Sequence, residues 1–219
     1  MPNEFLPEVL PADPMETVIG WFADARARAV QPNPDAMVLA SVGADHRPSA
    51  RVVLCRHVDQ DGYVVFYTNY ESRKGRELTH FPRAAGVIHW DSLHRQVRIE
   101  GAVVRSPATE SDAYFRKREL ASRIGAWASK QSQPLASRAA LADQVAATAQ
   151  RFGIAPEVRN AEIPRPTHWG GFRLWVDTLE LWVEGPGRIH DRAVWRRELQ
   201  ARDEISFSAG PWSSTRLNP

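Results

Sequence analysis

The chain has 219 residues, 43% of them hydrophobic and 25% charged, enough to bury one sizeable core within a single unit. Lysine and arginine total 28 against 26 aspartate and glutamate, so the formal charge of +2 argues against nucleic acid as a partner and confines any anion site to a local cluster. The single cysteine, Cys55, excludes an intrachain disulfide framework and a cysteine-built zinc site; with no basic-then-apolar leader and no membrane-length run of roughly 18 apolar residues, a reducing, cytoplasmic setting is expected.

Residues 1–12, with Pro2, Pro7 and Pro11 among few apolar side chains, read as a loose arm ahead of one domain over 13–219. A helix follows, with Asp13 as its cap, Pro14 at its first position, Glu16 completing a box-like start, and Met15, Val18, Ile19 and Phe22 on one face. From 37 to 105 the pattern changes to β-rich runs at 37–42, 49–55, 63–68, 84–90 and 95–104, which suggest an antiparallel barrel. A helix over 72–81 interrupts them, with Ser72 as N-cap and Pro82 just beyond its end. Helical segments are expected at 107–118 and 134–152, bracketing a polar stretch at 123–133. Residues 153–168 read as a linker-like crossing before strand composition returns at 171–183, and Gly185, Pro186 and Gly187 then make a turn. The strands on either side of the helical insertion belong to one sheet system, so the expected class is mainly β with helices, α+β.

Residues able to carry chemistry gather in several places. Ser72, Arg73 and Lys74 open a helix, where free backbone N–H groups, a hydroxyl and two cations converge as a phosphate monoester requires. Arg51 and Arg56 flank the run Val52, Val53, Leu54 and Cys55; on a regular strand they face opposite sides, so a bend or two adjacent ligands is implied. Tyr114, Arg118 and Ser122, four residues apart, could begin as one helical face offering two hydroxyls and a guanidinium to another phosphate. Gln96, Gln131 and Ser132 supply groups that both donate and accept hydrogen bonds. Trp182, with Arg188, His190 and Arg192 at alternate positions, gives an aromatic wall and one cationic side of an extended strand. Each cluster also has a plain reading as a capped surface helix, a polar helix face or a charged edge strand. Dinucleotide, phosphate-loop, zinc-protease and nucleophile-elbow motifs are absent from the sequence.

Taken in order, Arg51-Val-Val-Leu-Cys-Arg56, Phe66-Tyr-Thr-Asn69, Ser72-Arg-Lys74, Arg95-Gln-Val97, Ile124-Gly-Ala-Trp-Ala-Ser-Lys-Gln-Ser132, Trp169-Gly-Gly-Phe-Arg173, Arg188-Ile-His-Asp-Arg192 and Arg216-Leu-Asn-Pro219 resemble the pyridoxine/pyridoxamine 5′-phosphate oxidase family from about Met37 onward. The resemblance implies an antiparallel split β-barrel with peripheral helices, forming a homodimer that binds flavin mononucleotide (FMN) at the subunit interface with residues of both chains. Carried over by position, Arg51, Val52, Val53, Leu54, Tyr67, Thr68, Arg73, Lys74, Gln96, Gln131, Ser132, Trp182 and Arg192 would hold FMN, Arg73 and Lys74 at its phosphate. Arg56, Tyr114, Arg118, Ser122, Arg188 and His190 would hold the substrate, with Tyr114, Arg118 and Ser122 on its phosphate and Arg188 and His190 as the catalytic pair. The implied reaction converts pyridoxamine 5′-phosphate and pyridoxine 5′-phosphate to pyridoxal 5′-phosphate, using O2 and releasing H2O2, with ammonia from the amine; no metal is implied. Two positions depart from the family pattern: Arg56 replaces a common lysine with a planar fork, and Glu119 follows Arg118 where the familiar bacterial form has proline. A phenazine-type FMN oxidase and a non-catalytic flavin- or haem-binding split barrel are the other readings open to the same fold.

Overall fold

The computed structural model describes residues 5–219, so the first four residues of the expected arm lie outside the described residues. Residues 5–12 adopt neither helix nor strand, yet contacts tie them down where a loose arm was expected. Leu6 is buried and donates its N–H to Asp191 Oδ2 at 2.8 Å, Pro7 O accepts from Arg216 at 2.7 Å, and Pro11 O accepts the Trp195 indole N–H at 2.8 Å. Helix α1 (Met15–Ala27) begins with Met15 N–H donating to Asp13 Oδ1 at 2.9 Å, and Glu16 completes no box. Its buried stripe is Met15, Val18, Trp21, Phe22 and Ala25, leaving Ile19 at the margin.

The barrel strands are β1 (Ala36–Val42), β2 (Pro48–Leu54), the short β3 (His57–Val58), β4 (Tyr63–Asn69), β5 (Arg83–Trp90), β6 (Arg95–Arg105), β7 (Trp169–Val183) and β8 (Asp191–Arg196). All their pairings are antiparallel, and β11 (Ser213–Leu217) adds to β8. A separate hairpin joins β9 (Leu199–Ala201) to β10 (Phe207–Ala209). The long strand β7 divides the sheet: its first half pairs with β4 from Trp169 to Trp175, and its second half pairs with β8 from Thr178 to Val183. Strand β6 follows β7 along both halves by shifting register between Glu100 and Gly101, where a Cβ on Gly101 would lie 1.8 Å from Trp175 O. Alternation sends Met37, Leu39, Ile88, Trp90, Val97, Ile99, Leu179, Leu181 and Trp195 into the main core beneath α1.

Helix α2 (Arg73–His80) starts as expected, with Ser72 Oγ accepting Gly75 N–H at 3.2 Å. It sits directly on the Tyr70 backbone, since a Cβ added at Gly75 would lie 2.1 Å from Tyr70 O. Gly75→Ala should therefore cost about 1–3 kcal/mol through overpacking; a chemical denaturation midpoint equal to wild type would contradict this close approach. Helices α3 (Ala108–Lys117) and α5 (Arg138–Arg151) fall where expected, but the polar stretch between them contains a further helix, α4 (Leu120–Ala128). Leu120, Ile124 and Ala128 bury one stripe of α4, and Arg123 is buried beside them by donating to Ala161 O and Asn160 Oδ1, which hides the amphipathic pattern in the sequence.

Candidate active site

One cleft of about 860 Å³ opens between the barrel and the α3–α4 corner, near the upper end of ligand-site sizes. Val52, Val53, Leu54 and Arg56 line it from β2 and just beyond, Tyr67 and Thr68 from β4, Lys74 from α2, Tyr114, Arg118 and Ser122 from the helices, and Gln131 from the following loop. The bend required by Arg51 and Arg56 is present: after Leu54 the chain leaves β1, Cys55 N–H donating to Asp35 O and Arg56 N–H to Val65 O on β4. Arg56 thereby enters the cleft, while Arg51 does not line it and bonds to Ser41, Ser49 and Glu77.

Two cationic anchors occupy this cleft. At the first, Lys74 Nζ donates to Thr68 Oγ1 at 3.0 Å, Gln131 Oε1 at 3.1 Å and Ser72 Oγ at 3.4 Å, all neutral acceptors, and burial together with the Arg51 charge holds its pKa below the ordinary lysine range. A charged oxygen there would displace neutral partners and gain a full ion pair. At the second, Arg118 lies over the Trp169 ring at 4.6 Å, and its Nη1 is buried without a hydrogen-bond partner among the described residues. Burial pushes the Arg118 pKa down and the nearby Arg56 charge adds to this, while Tyr114 acts in the opposite sense. An anion could satisfy a buried guanidinium N–H that has a cation nearby and no acceptor among the described residues.

The helical route to this second anchor differs from the expectation. Arg118 ends α3 in an extended conformation, so Tyr114 and Ser122 stand on separate helices and meet across a corner rather than along one face. Tyr114 stacks on Tyr67 with ring centroids 3.8 Å apart and planes at 3°, and Trp169 continues the stack at 5.6 Å from Tyr67. Glu110 fixes it from behind, accepting from the Tyr67 hydroxyl at 3.3 Å and from Arg173 Nε at 3.0 Å. Sequence reasoning assigned no role to Trp169, although an aromatic residue immediately before Gly170 and Gly171 was the available signal. Glu119 is exposed at the cleft rim and caps no charge there.

Arg51, Arg73, Gln96, Ser132, Trp182, Arg188, His190 and Arg192 do not line this cleft. Gln96, Trp182 and Arg192 are directly opposite one another across β6, β7 and β8, and His190 packs on Trp182 with centroids 4.6 Å apart. Glu180 holds Arg192 at 2.8 Å. The single extended strand expected for Arg188, His190 and Arg192 is not formed: Gly187 and Arg188 both take positive φ in a tight turn, and β8 begins only at Asp191. Trp169 and Trp182 mark opposite ends of β7, roughly 40 Å apart along an extended strand. The residues expected to form one site thus fall into separate groups within the chain.

An antiparallel split barrel with a cation-lined cleft against its helices is the class that these elements define. Residues 23–152 match the model of the pyridoxamine 5′-phosphate oxidase family, and 169–219 match that of the pyridoxine 5′-phosphate oxidase C-terminal dimerisation region. The chain is 48% identical to the pyridoxine/pyridoxamine 5′-phosphate oxidase of Burkholderia lata, over 94% of this chain and 89% of that protein. In structure it is similar to PhzG from Burkholderia lata in complex with tetrahydrophenazine-1-carboxylic acid, with a TM-score of 0.80 and 32% identity over 95% of this chain and 94% of the other. A pyridoxamine 5′-phosphate oxidase-related, FMN binding protein from Nostoc punctiforme shares the fold, with a TM-score of 0.67 and 17% identity over 97% and 99% of the two chains. The chain belongs to the pyridoxamine 5′-phosphate oxidase family. Among the described residues, no helix is long and apolar enough to cross a membrane.

Proposed function

We propose that this chain is an FMN-dependent oxidase that converts pyridoxamine 5′-phosphate and pyridoxine 5′-phosphate to pyridoxal 5′-phosphate. The observation that carries this reading is the pair of separate anchors in one cleft, Lys74 among neutral acceptors and Arg118 with its buried, unpartnered Nη1. One phosphate belongs to the cofactor and the other to the substrate. Lys74, Arg73 and the N-terminus of α2 would hold the FMN phosphate, with Arg51 behind them; Val52, Val53, Leu54, Tyr67, Thr68, Gln131 and Ser132 would line the rest of its site. Bound there, FMN would supply the two-electron acceptor, with O2 as the final oxidant and H2O2 as its product.

Arg118, Tyr114 and Ser122 hold the substrate phosphate and Arg56 closes the same end, so the pyridine ring is fixed by an anchor remote from the reacting carbon. Gln96, Trp182, Arg192, Arg188 and His190 reach the cleft from a second copy of the chain in a homodimer, which accounts for their distance from it within one protomer. The exposed apolar residues Val38, Val42 and Val52 on the outer face of β1 and β2 give such a dimer a surface to cover. His190 Nδ1 accepts the Gly185 N–H at 3.3 Å, which leaves the proton of the neutral ring on Nε2, free to donate to the substrate.

The likeness to PhzG favours a second reading, oxidation of a carboxylated tricyclic substrate, for which Arg118 would bind a carboxylate. Purified protein supplied with FMN should form aldehyde and equimolar H2O2 from each of the two phosphorylated precursors. Turnover of tetrahydrophenazine-1-carboxylic acid alone would transfer the assignment to the second reading. Tight FMN binding with no oxidation of any of the three would leave a flavin-binding protein without this activity.

A further inference from the structure

Behind the Lys74 end of the cleft lies a carboxylate, a charge that opposes an anion site. Glu77, on α2, is only 6% exposed and is held from four directions. Its Oε2 accepts from Ser41 Oγ at 2.6 Å, Ser49 Oγ at 2.7 Å and Arg51 Nη2 at 2.9 Å, while its Oε1 accepts from Arg73 Nε at 2.8 Å. These bonds and charges hold its carboxyl at a pKa of about 2 despite burial, so it is ionised at any working pH.

Charge neutralisation does not explain this arrangement. One arginine would balance one carboxylate; here two converge on it, and the surplus positive charge remains next to Lys74, whose pKa is lowered by burial and then by Arg51. Arg73 uses only Nε on Glu77, and its two Nη groups have no partner among the described residues. Arg73 is 58% exposed even in this pair, and without Glu77 it would be a long surface side chain that has to surrender rotamer freedom when an anion arrives. With Glu77 each guanidinium is already fixed by a hydrogen bond, on opposite oxygens of one group.

We propose that Glu77 is a positioning residue for the cofactor phosphate, a buried carboxylate that presets Arg51 and Arg73 as a rigid pair beside Lys74. Its negative charge opposes the phosphate, but the preorganised pair outweighs that opposition. This inference rests on the reading of the Lys74 end of the cleft as the FMN phosphate site. Glutamine at this position can accept from one arginine only, because its NH2 group turns a donor toward the other.

The test is to titrate flavin-free protein with FMN and with riboflavin, which lacks the phosphate, following flavin fluorescence. Glu77→Gln should lose about tenfold in FMN affinity, one charge-assisted contact made mobile, with riboflavin affinity unchanged. Glu77→Asp, which retains the charge but shortens its reach, should also lose FMN preference and serves if the glutamine variant does not fold. Equal FMN affinity in the variants and wild type would overturn the proposal, as would tighter FMN binding, which would make Glu77 merely a repulsive charge. A parallel fall for FMN and riboflavin would reduce it to a structural role. Failure of the underlying reading is distinct: wild type itself would then show no preference for FMN over riboflavin.

Discussion

Alanine at both Arg73 and Lys74 is expected to lower FMN affinity by about a hundredfold or more while leaving the weaker riboflavin affinity nearly intact. Lys74 carries most of this effect. It lines the cleft and rests on neutral oxygens, so a phosphate gains from it a charge-assisted bond that no carboxylate already uses. Arg73 is exposed and partly screened, so its share is smaller. The helix should survive, because its cap is the Ser72 hydroxyl on Gly75 N–H, which neither substitution touches. Isothermal titration of the double variant with both flavins reads the outcome; retention of wild-type FMN affinity would remove Lys74 and Arg73 from the phosphate site.

Arg118→Ala should reduce kcat/KM for pyridoxamine 5′-phosphate by about a hundredfold, chiefly through KM, with FMN occupancy unchanged. The buried Nη1 has no partner among the described residues to lose, so the loss is that of the ligand contact and of the cation held over Trp169. Arg188→Ala should also impair turnover while FMN stays bound, for the different reason that, on the proposed dimeric arrangement, it removes a group supplied from the other subunit. The two variants can therefore complement one another. In a heterodimer, one cleft lacks both side chains and the other has both, so an equal mixture of randomly reassorted subunits should recover roughly a quarter of wild-type activity. Steady-state assays on subunits unfolded and refolded together measure this directly, and activity no greater than that of the separate variants would place both residues in one protomer's site.

The parts of the molecule that were legible in the sequence are those set by local rules. Ser72, Pro82 and the basic residues between them define α2 without reference to anything distant, and alternation along 84–90 and 95–104 specifies two central strands. What was not legible depends on contacts distant in sequence. The α4 stripe is obscured because Arg123 is buried, and it is buried because Asn160 and Ala161 accept hydrogen bonds from its guanidinium. Arg188, His190 and Arg192 alternate in the sequence but not in space, since Gly187 and Arg188 turn the chain before β8. Glu77 looks like an ordinary helical glutamate until Ser41, Ser49 and Arg51 close around it from β1 and β2. The family resemblance named most cleft residues because it carries such distant relations implicitly, yet it assigned nothing to Glu77 or Trp169.

The anchoring of residues 5–12 has a practical corollary. Asp191 sits between His190 and Arg192, and it receives the Leu6 N–H from the front of the chain and the Arg216 guanidinium from the rear. Leu6 and Arg216, far apart in sequence, are thus knotted onto one side chain beside the β7–β8 turn. A purification tag that pulls on Leu6, or a trim that removes Arg216, is mechanically an edit to the segment bearing His190, and kinetics recorded on such a protein describe the altered knot.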